Sequence, residues 1–331
     1  MNPLHAIVEK ARTVRPSDRM AELFRRVRPY WFQERRGHAF TQLHIDVARH
    51  ATGDFNPFHD PDKWHRIHGN PFGAPIAVGF QLEMLVAQAV EELRHQERVP
   101  PFRYARYSFS FADVVRPGEF VQVEVRDTRR RSPGGVSNRV ALRRQGRVVL
   151  MGQLQAGDDL GRHLARIRPP ANLVAIEDGV TLDDGHYLRK RVLQMSDAKN
   201  FLMGSLVPPH RYFDELEGRA CFPELFPVAL ISSALLEKEA AQGYDFLRNP
   251  LVYTAHAMVL DRDLLRSLRD GDRLCILVDG PHAEAGRTGR DGRPMAQSLY
   301  HALGFLEGGR PLFSAEMRLT SLDELKRLHA H

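Results

Sequence analysis

The chain has 331 residues, 43% of them hydrophobic and 27% charged, and its net charge is +6. These proportions exclude a disordered or fibrous protein and allow two ordinary domains, or one large one, with a substantial core. The positive surplus comes mostly from scattered arginines without a helix-turn-helix, zinc-finger or aromatic RNA-binding pattern. It therefore fits a solvated basic surface, or a rim that attracts an anionic carrier, better than a nucleic-acid interface.

Cys221 and Cys275 are the only cysteines. Two thiols build no disulfide framework and read as buried free thiols in a reducing cytoplasm. No run reaches the roughly 18 uncharged apolar residues of a spanning helix, so no membrane is expected. Leu4 to Ala11 and Met20 to Val27 mix apolar and basic residues, which predicts a surface helix rather than a secretory leader.

From Phe40 the pattern predicts a short strand, a helix over Ile45 to Ala51, and a loop. Ile76 to Leu93 is apolar on more than one face, which predicts a largely buried helix. Alternation then marks antiparallel strands at Tyr107–Phe111, Phe120–Val125, Val136–Leu142 and Val148–Leu154. Pro133-Gly134-Gly135 and Gln145-Gly146 supply the hairpin turns. One buried helix followed by an antiparallel sheet is an α+β unit with the sheet wrapped around the helix. Gly157 to Gly185 loses periodicity and reads as a connection.

The second half repeats the first. Phe72 to Val86 lies over Phe222 to Leu236, Val115 to Val125 over Leu268 to Val278, and Gln145 to Leu150 over Gly308 to Phe313. The expected organisation is a unit at 1–160, a linker at 161–184 and a second unit at 185–331.

Chemistry concentrates in Ala51-Thr-Gly-Asp-Phe-Asn-Pro-Phe-His59, followed by Phe72-Gly-Ala-Pro-Ile-Ala-Val-Gly79. Gly53-Asp54 and Asn56-Pro57 are turn pairs, so the first segment is a loop of fixed shape. It carries a carboxylate and an imidazole, two groups that exchange protons near neutral pH. Asn56 can donate and accept hydrogen bonds. Gly79 stands where the buried helix begins, where unpaired N–H groups and the positive end of the dipole are available. A glycine there lets a ligand carbonyl approach the backbone closely.

These two segments together resemble the signature of the MaoC-like, (R)-specific enoyl-CoA hydratase family, a T-G-D-x-N-P-x-H loop followed by a P-I-A-x-G helix entry. The matching residues are Gly53, Asp54, Asn56, Pro57 and His59, then Pro75, Ile76, Ala77 and Gly79. Arg116-Pro-Gly118 resembles a further turn of that family. The resemblance implies a tandem (double) hotdog fold, each half an antiparallel sheet around a long central helix. It implies a hydratase or dehydratase acting on a 2-enoyl or (R)-3-hydroxyacyl thioester of coenzyme A or acyl carrier protein. Asp54 and His59 would activate the water and deliver the proton, supported by Asn56 and Gly53, and the Gly79 N–H would bind the thioester carbonyl. Phe58, Pro75, Ile76 and Val78 would line the substrate pocket. Val78 stands where relatives often have histidine, and Phe58 replaces a smaller aliphatic residue, so these positions bear on substrate shape. No cofactor or metal is implied, and the assembly would be a monomeric pseudo-dimer or a homodimer of double hotdogs.

The second copy reads Gly204-Ser-Leu-Val-Pro-Pro-His210 at the corresponding place. It lacks the acid and the Asn-Pro pair, so it is expected to be non-catalytic and to complete the acyl pocket, with His210 structural. The histidines and aspartates between His59 and His68 fit no zinc spacing. Gly286 to Arg293 is glycine-rich but matches no phosphate loop and predicts a mobile hairpin; Arg129 to Arg131 predicts a solvated loop. Two other functions share this fold and remain open at this stage: a thioesterase, and an acyl-thioester-binding protein without turnover.

Overall fold

The computed structural model describes residues 37–131, 134–288 and 292–329; the expected surface helix within 4–27 and the tip of the glycine-rich segment, 289–291, lie outside them. The described chain opens with strand β1 (His38–Ala39) and helix α1 (Gln42–Thr52). Thr41 caps α1, its hydroxyl accepting from the His44 N–H while the His44 ring accepts from the Thr41 N–H at 3.0 Å. Gly53 ends the helix in the left-handed region, φ 65°. There the N–H groups of Gly53 and Asp54 turn back to the carbonyls of His50 and Arg49 at 3.2 and 2.8 Å.

The expected buried helix is α2 (Gly79–Gln96), buried on several faces through Phe80, Leu82, Met84, Leu85, Val86 and Val90. Val78 has no polar atom with which to cap it; Gln81 reaches back to the Val78 N–H instead, at 3.3 Å. Four strands follow: β2 (Tyr104–Phe111), β3 (Phe120–Val125), β4 (Val136–Arg144) and β5 (Arg147–Gly157). The expected Gln145-Gly146 turn joins β4 to β5 with both residues at positive φ, 49° and 79°.

The second half runs β6 (Tyr187–Val192), α3 (Met195–Gly204), α4 (Leu225–Ala229), α5 (Ile231–Ala241), β7 (Leu251–Asp261), α6 (Arg262–Ser267), β8 (Arg273–Thr288), β9 (Pro294–Leu306), β10 (Arg310–Ser321) and α7 (Leu322–His329). All ten strands join one antiparallel sheet in the order β1-β3-β4-β5-β2-β7-β10-β9-β8-β6, with short strands at Arg129–Arg130 and Val180–Thr181 completing twelve. The order is a mirror about the β2/β7 seam: β5 and β10, β4 and β9, β3 and β8, β1 and β6 hold matching places. At the seam Tyr104 to Ser110 pairs with Asp261 to Ala255. Each half-sheet wraps its own helix, and the fold is a double hotdog.

The two copies differ where their central helices begin. Ala229 aligns with Gly79, but it is the last residue of the short helix α4 (Leu225–Ala229), which precedes α5 at Ile231. The aligned N–H is therefore inside a helix and already bonded, which removes it as a ligand donor.

Helices α1 and α3 cross at Gly204. A methyl group there would stand 2.8 Å from Ala48 Cβ, the Ala48 nitrogen and the His44 carbonyl oxygen. Backbone atoms of a packed helix yield poorly, so overpacking of about 1–3 kcal/mol is expected. Gly204→Ala should lower the thermal midpoint by several degrees in a circular-dichroism melt, a size typical of such a loss.

Candidate active site

The end of α1 at Gly53 delivers Asp54 into a loop held by its own side chains. The Asn56 N–H donates to Asp54 Oδ1 at 2.9 Å, and the Phe58 N–H donates to Asn56 Oδ1 at 3.1 Å. Each is a local turn bond that replaces a regular backbone one. Pro57 to His59 then form a single 3-10 turn. The Ile76 N–H donates to the Phe58 carbonyl at 3.0 Å, and the Ala77 N–H to the Val115 carbonyl at 2.8 Å. These bonds fasten the segment that enters α2 onto the Asp54–His59 loop, so the two parts of the motif form one body.

His59 Nδ1 lies 2.8 Å from the Ile76 carbonyl oxygen. A carbonyl only accepts, so Nδ1 carries a proton, and in the neutral imidazole Nε2 is the nitrogen left to accept. That nitrogen faces Asp54 Oδ2 at 3.9 Å. The gap is too long for a direct hydrogen bond and short enough for one oxygen atom to bond both groups. Asp54 and His59 are 3% and 5% exposed, so such an oxygen would sit almost out of bulk water.

His59 borders a cavity of about 350 Å³, with Asn56, Phe58, Ile76 and Gly79 also in its wall. Among the described residues no hydrogen bond leaves the Gly79 N–H. A Cβ at Gly79 would stand 3.1 Å from Phe111 Cζ and 3.7 Å from His256 Cε1, so a side chain would press on these rings. Four expected site residues do not line the cavity. Asp54 lies deeper than His59, and Gly53 is held against Arg191 and Ser233 of the second half. Val78, expected in the pocket wall, is instead packed in the main core, and Pro75, expected there too, falls outside the wall in the turn before α2. His210 is exposed on its own 3-10 turn, and of the two thiols expected to be buried Cys275 is and Cys221 is exposed.

Phe111 to Val115 of the first half continue the wall, and the second half adds Leu251 to Thr254 on β7 and Leu322, Leu325 and Lys326 on α7. Sequence reading assigned no single residue there. It also missed a buried pair across the halves, Glu83 Oε1 to His256 Nδ1 at 2.7 Å, both side chains fully buried. Phe80 stacks on the His256 ring at 4.8 Å, and Phe111 and Tyr253 meet it edge-on at 5.1 and 4.5 Å. No local signal reveals this pair, because its members are 173 positions apart. Elsewhere, Asp60 pairs with Arg49 and Lys63. Among the described residues no three His, Cys, Asp or Glu side chains gather to hold a metal ion, and no helix is long and apolar enough to cross a membrane.

Residues 32–142 match the family model described as MaoC like domain, a stretch that contains both motif segments. No curated protein sequence matches the chain. Among solved structures, a MaoC-like dehydratase superposes with a TM-score of 0.53 at 12% identity, over 86% of this chain and 95% of its own. Rv0216, a conserved hypothetical protein from Mycobacterium tuberculosis with a double hotdog fold, superposes at 0.57 and 16% identity, over 88% of this chain and 95% of its own. At these identities the likeness shows the fold: this is a double hotdog whose first half carries a MaoC like domain.

Burial pushes the Glu83 carboxyl above its ordinary value of 4.5, opposed by the pull of His256. The unfolded chain releases that proton first, so above pH 4.5 the folded state holds more protons and stability falls as pH rises. Glu83→Gln removes the titrating group while keeping a polar partner for His256. Melting midpoints measured from pH 4.5 upward should therefore decline less steeply in the variant than in the parent.

Proposed function

We propose that the protein adds water to a 2-enoyl thioester, or removes it from the matching (R)-3-hydroxyacyl thioester. The observation that carries this reading is His59 Nε2 set 3.9 Å from Asp54 Oδ2 beside an apolar cavity whose wall His59 joins. At that separation one water oxygen can hydrogen-bond both groups. As its oxygen bonds to C3 of the acyl chain, one O–H proton passes to the pair. Charge moves to the thioester oxygen, where the unbonded Gly79 N–H supplies a donor at a helix start. Return of a proton from the pair to C2 completes the addition of H and OH; dehydration is the same path reversed.

The cavity wall gives the acyl chain an apolar seat in Phe58, Ile76, Phe111, Val114, Leu251 and Leu322. Lys326, exposed and in the same wall, places a positive charge within reach of an anionic carrier, either coenzyme A or an acyl carrier protein. The MaoC like domain at 32–142 supports a hydratase or dehydratase over the other chemistries of the fold.

Loss of enoyl-thioester ultraviolet absorbance on adding protein is the direct assay. Asp54→Asn and His59→Ala should each lower kcat by about 10² to 10⁴, the usual worth of positioned acid–base groups. A thiol-trapping dye should register no free thiol. Undiminished turnover in both variants would refute the assignment, and stoichiometric thiol release would replace it with a thioesterase.

A further inference from the structure

The second hotdog lacks the acid–base motif, yet one of its side chains, Tyr253, stands in the wall of the same cavity as His59 and Gly79. β7 carries a bulge between Tyr253 and Ala255. In a regular strand, residues three apart face opposite sides of the sheet; a bulge re-aims one of them. Here Tyr253 and His256 both face the helices. His256 bonds Glu83 on α2, and Tyr253 lines the cavity with His59 and Gly79.

The Tyr253 ring spans the cavity. Its flank rests on the His256 ring, whose Cε1 lies beside Gly79. Its hydroxyl points the other way, 3.5 Å from Ser232 Oγ. The next residue, Ser233, lies against Gly53, immediately before Asp54. The hydroxyl is thus at the Asp54 end, and the ring at the Gly79 end. A separation of 3.5 Å from Ser232 is the outer limit of a hydrogen bond, so the phenol proton is nearly without an acceptor. Burial first, then the charge on Asp54, hold that proton above its ordinary value of 10, so the phenol is a neutral donor at physiological pH.

The other central strand shows the contrast. Tyr107 on β2 reaches into the second half and donates its hydroxyl to Glu224, at the start of α4. Arg262 pairs with the same carboxylate at 2.8 Å. That tyrosine is consumed by a salt-bridged network, whereas Tyr253 on the partner strand borders the cavity.

We propose that Tyr253 is a substrate-contacting residue of this site, its phenol O–H donating to the oxygen at C3, which is the incoming water in hydration and the 3-hydroxyl in dehydration. The oxygen then has a donor in Tyr253 and acceptors in Asp54 and His59 Nε2, which together fix its position and the direction of its lone pair. In dehydration the same donor shares the negative charge that grows as the C3–O bond breaks. This assignment rests on the hydratase reading and makes the active site the joint product of both halves.

Two measurements separate this assignment from the reading on which it rests. Tyr253→Phe keeps the ring and removes only the hydroxyl; kcat for an octenoyl-CoA substrate should fall about tenfold or more, the worth of one ordinary hydrogen bond. Binding is then measured by calorimetry in an Asp54→Asn background, which slows turnover by about 10² to 10⁴. There 3-hydroxyoctanoyl-CoA should bind about tenfold more tightly than octanoyl-CoA, and adding Tyr253→Phe should erase that preference while leaving octanoyl-CoA affinity unchanged. If no hydroxyl preference exists, if it survives Tyr253→Phe, or if both ligands weaken equally, Tyr253 is a packing residue and the proposal is overturned. Parent protein that hydrates no enoyl thioester overturns the hydratase reading, and the binding comparison still decides the contact.

Discussion

The antiparallel seam between β2 and β7 is the constraint from which the rest of the structure follows. A half-sheet with an open edge presents unpaired N–H and C=O groups, and here each half satisfies the other. Because the seam is antiparallel, the strand order mirrors about it. Each central strand then lies beside the start of the other half's central helix. Tyr253 reaches the first helix start and Tyr107 the second as a consequence of that one pairing.

Within this frame the two helix starts have diverged in opposite senses. At the first, the chain enters α2 at a glycine, and the backbone donor there is left unbonded. At the second, the short helix α4 precedes α5, and Glu224, Arg262 and Tyr107 fill the space with paired charge. An internal ion network of this kind contributes little net stability once desolvation is counted, but it occludes a site. Among the described residues the first pole opens on the cavity at the motif, and the second is filled by this paired charge.

Polar burial is concentrated around the open pole. Glu83 and His256 satisfy one another through Oε1 and Nδ1, while Glu83 Oε2 and His256 Nε2 have no partner among the described residues. A buried unsatisfied atom is costly and persists where the surroundings over-determine it. Here the surroundings are Phe80, Phe111 and Tyr253, which enclose the imidazole, together with the β7 bulge that aims it inward. The pair sits behind Gly79, so the donor end of α2 is backed by a rigid, largely dry layer.

The sequence by itself determined the elements and the motif. Alternation marked β2 to β5, the broad apolar face marked α2, and the repeat of Phe72–Val86 in Phe222–Leu236 announced two copies. The loop from Asp54 to His59 was legible because its bonds are local: Asn56 to Asp54 and Phe58 to Asn56 span two residues each. Tertiary structure alone decided which faces met. Val78 reads as a pocket residue by its place in the motif, yet the turn into α2 directs it into the core. The Glu83–His256 pair, the Tyr253 wall and α7 over the cavity arise from contacts between residues far apart in the chain. A bulge in β7 reversed the facing that period-two alternation would assign, and that change is set by strand pairing rather than by any nearby residue.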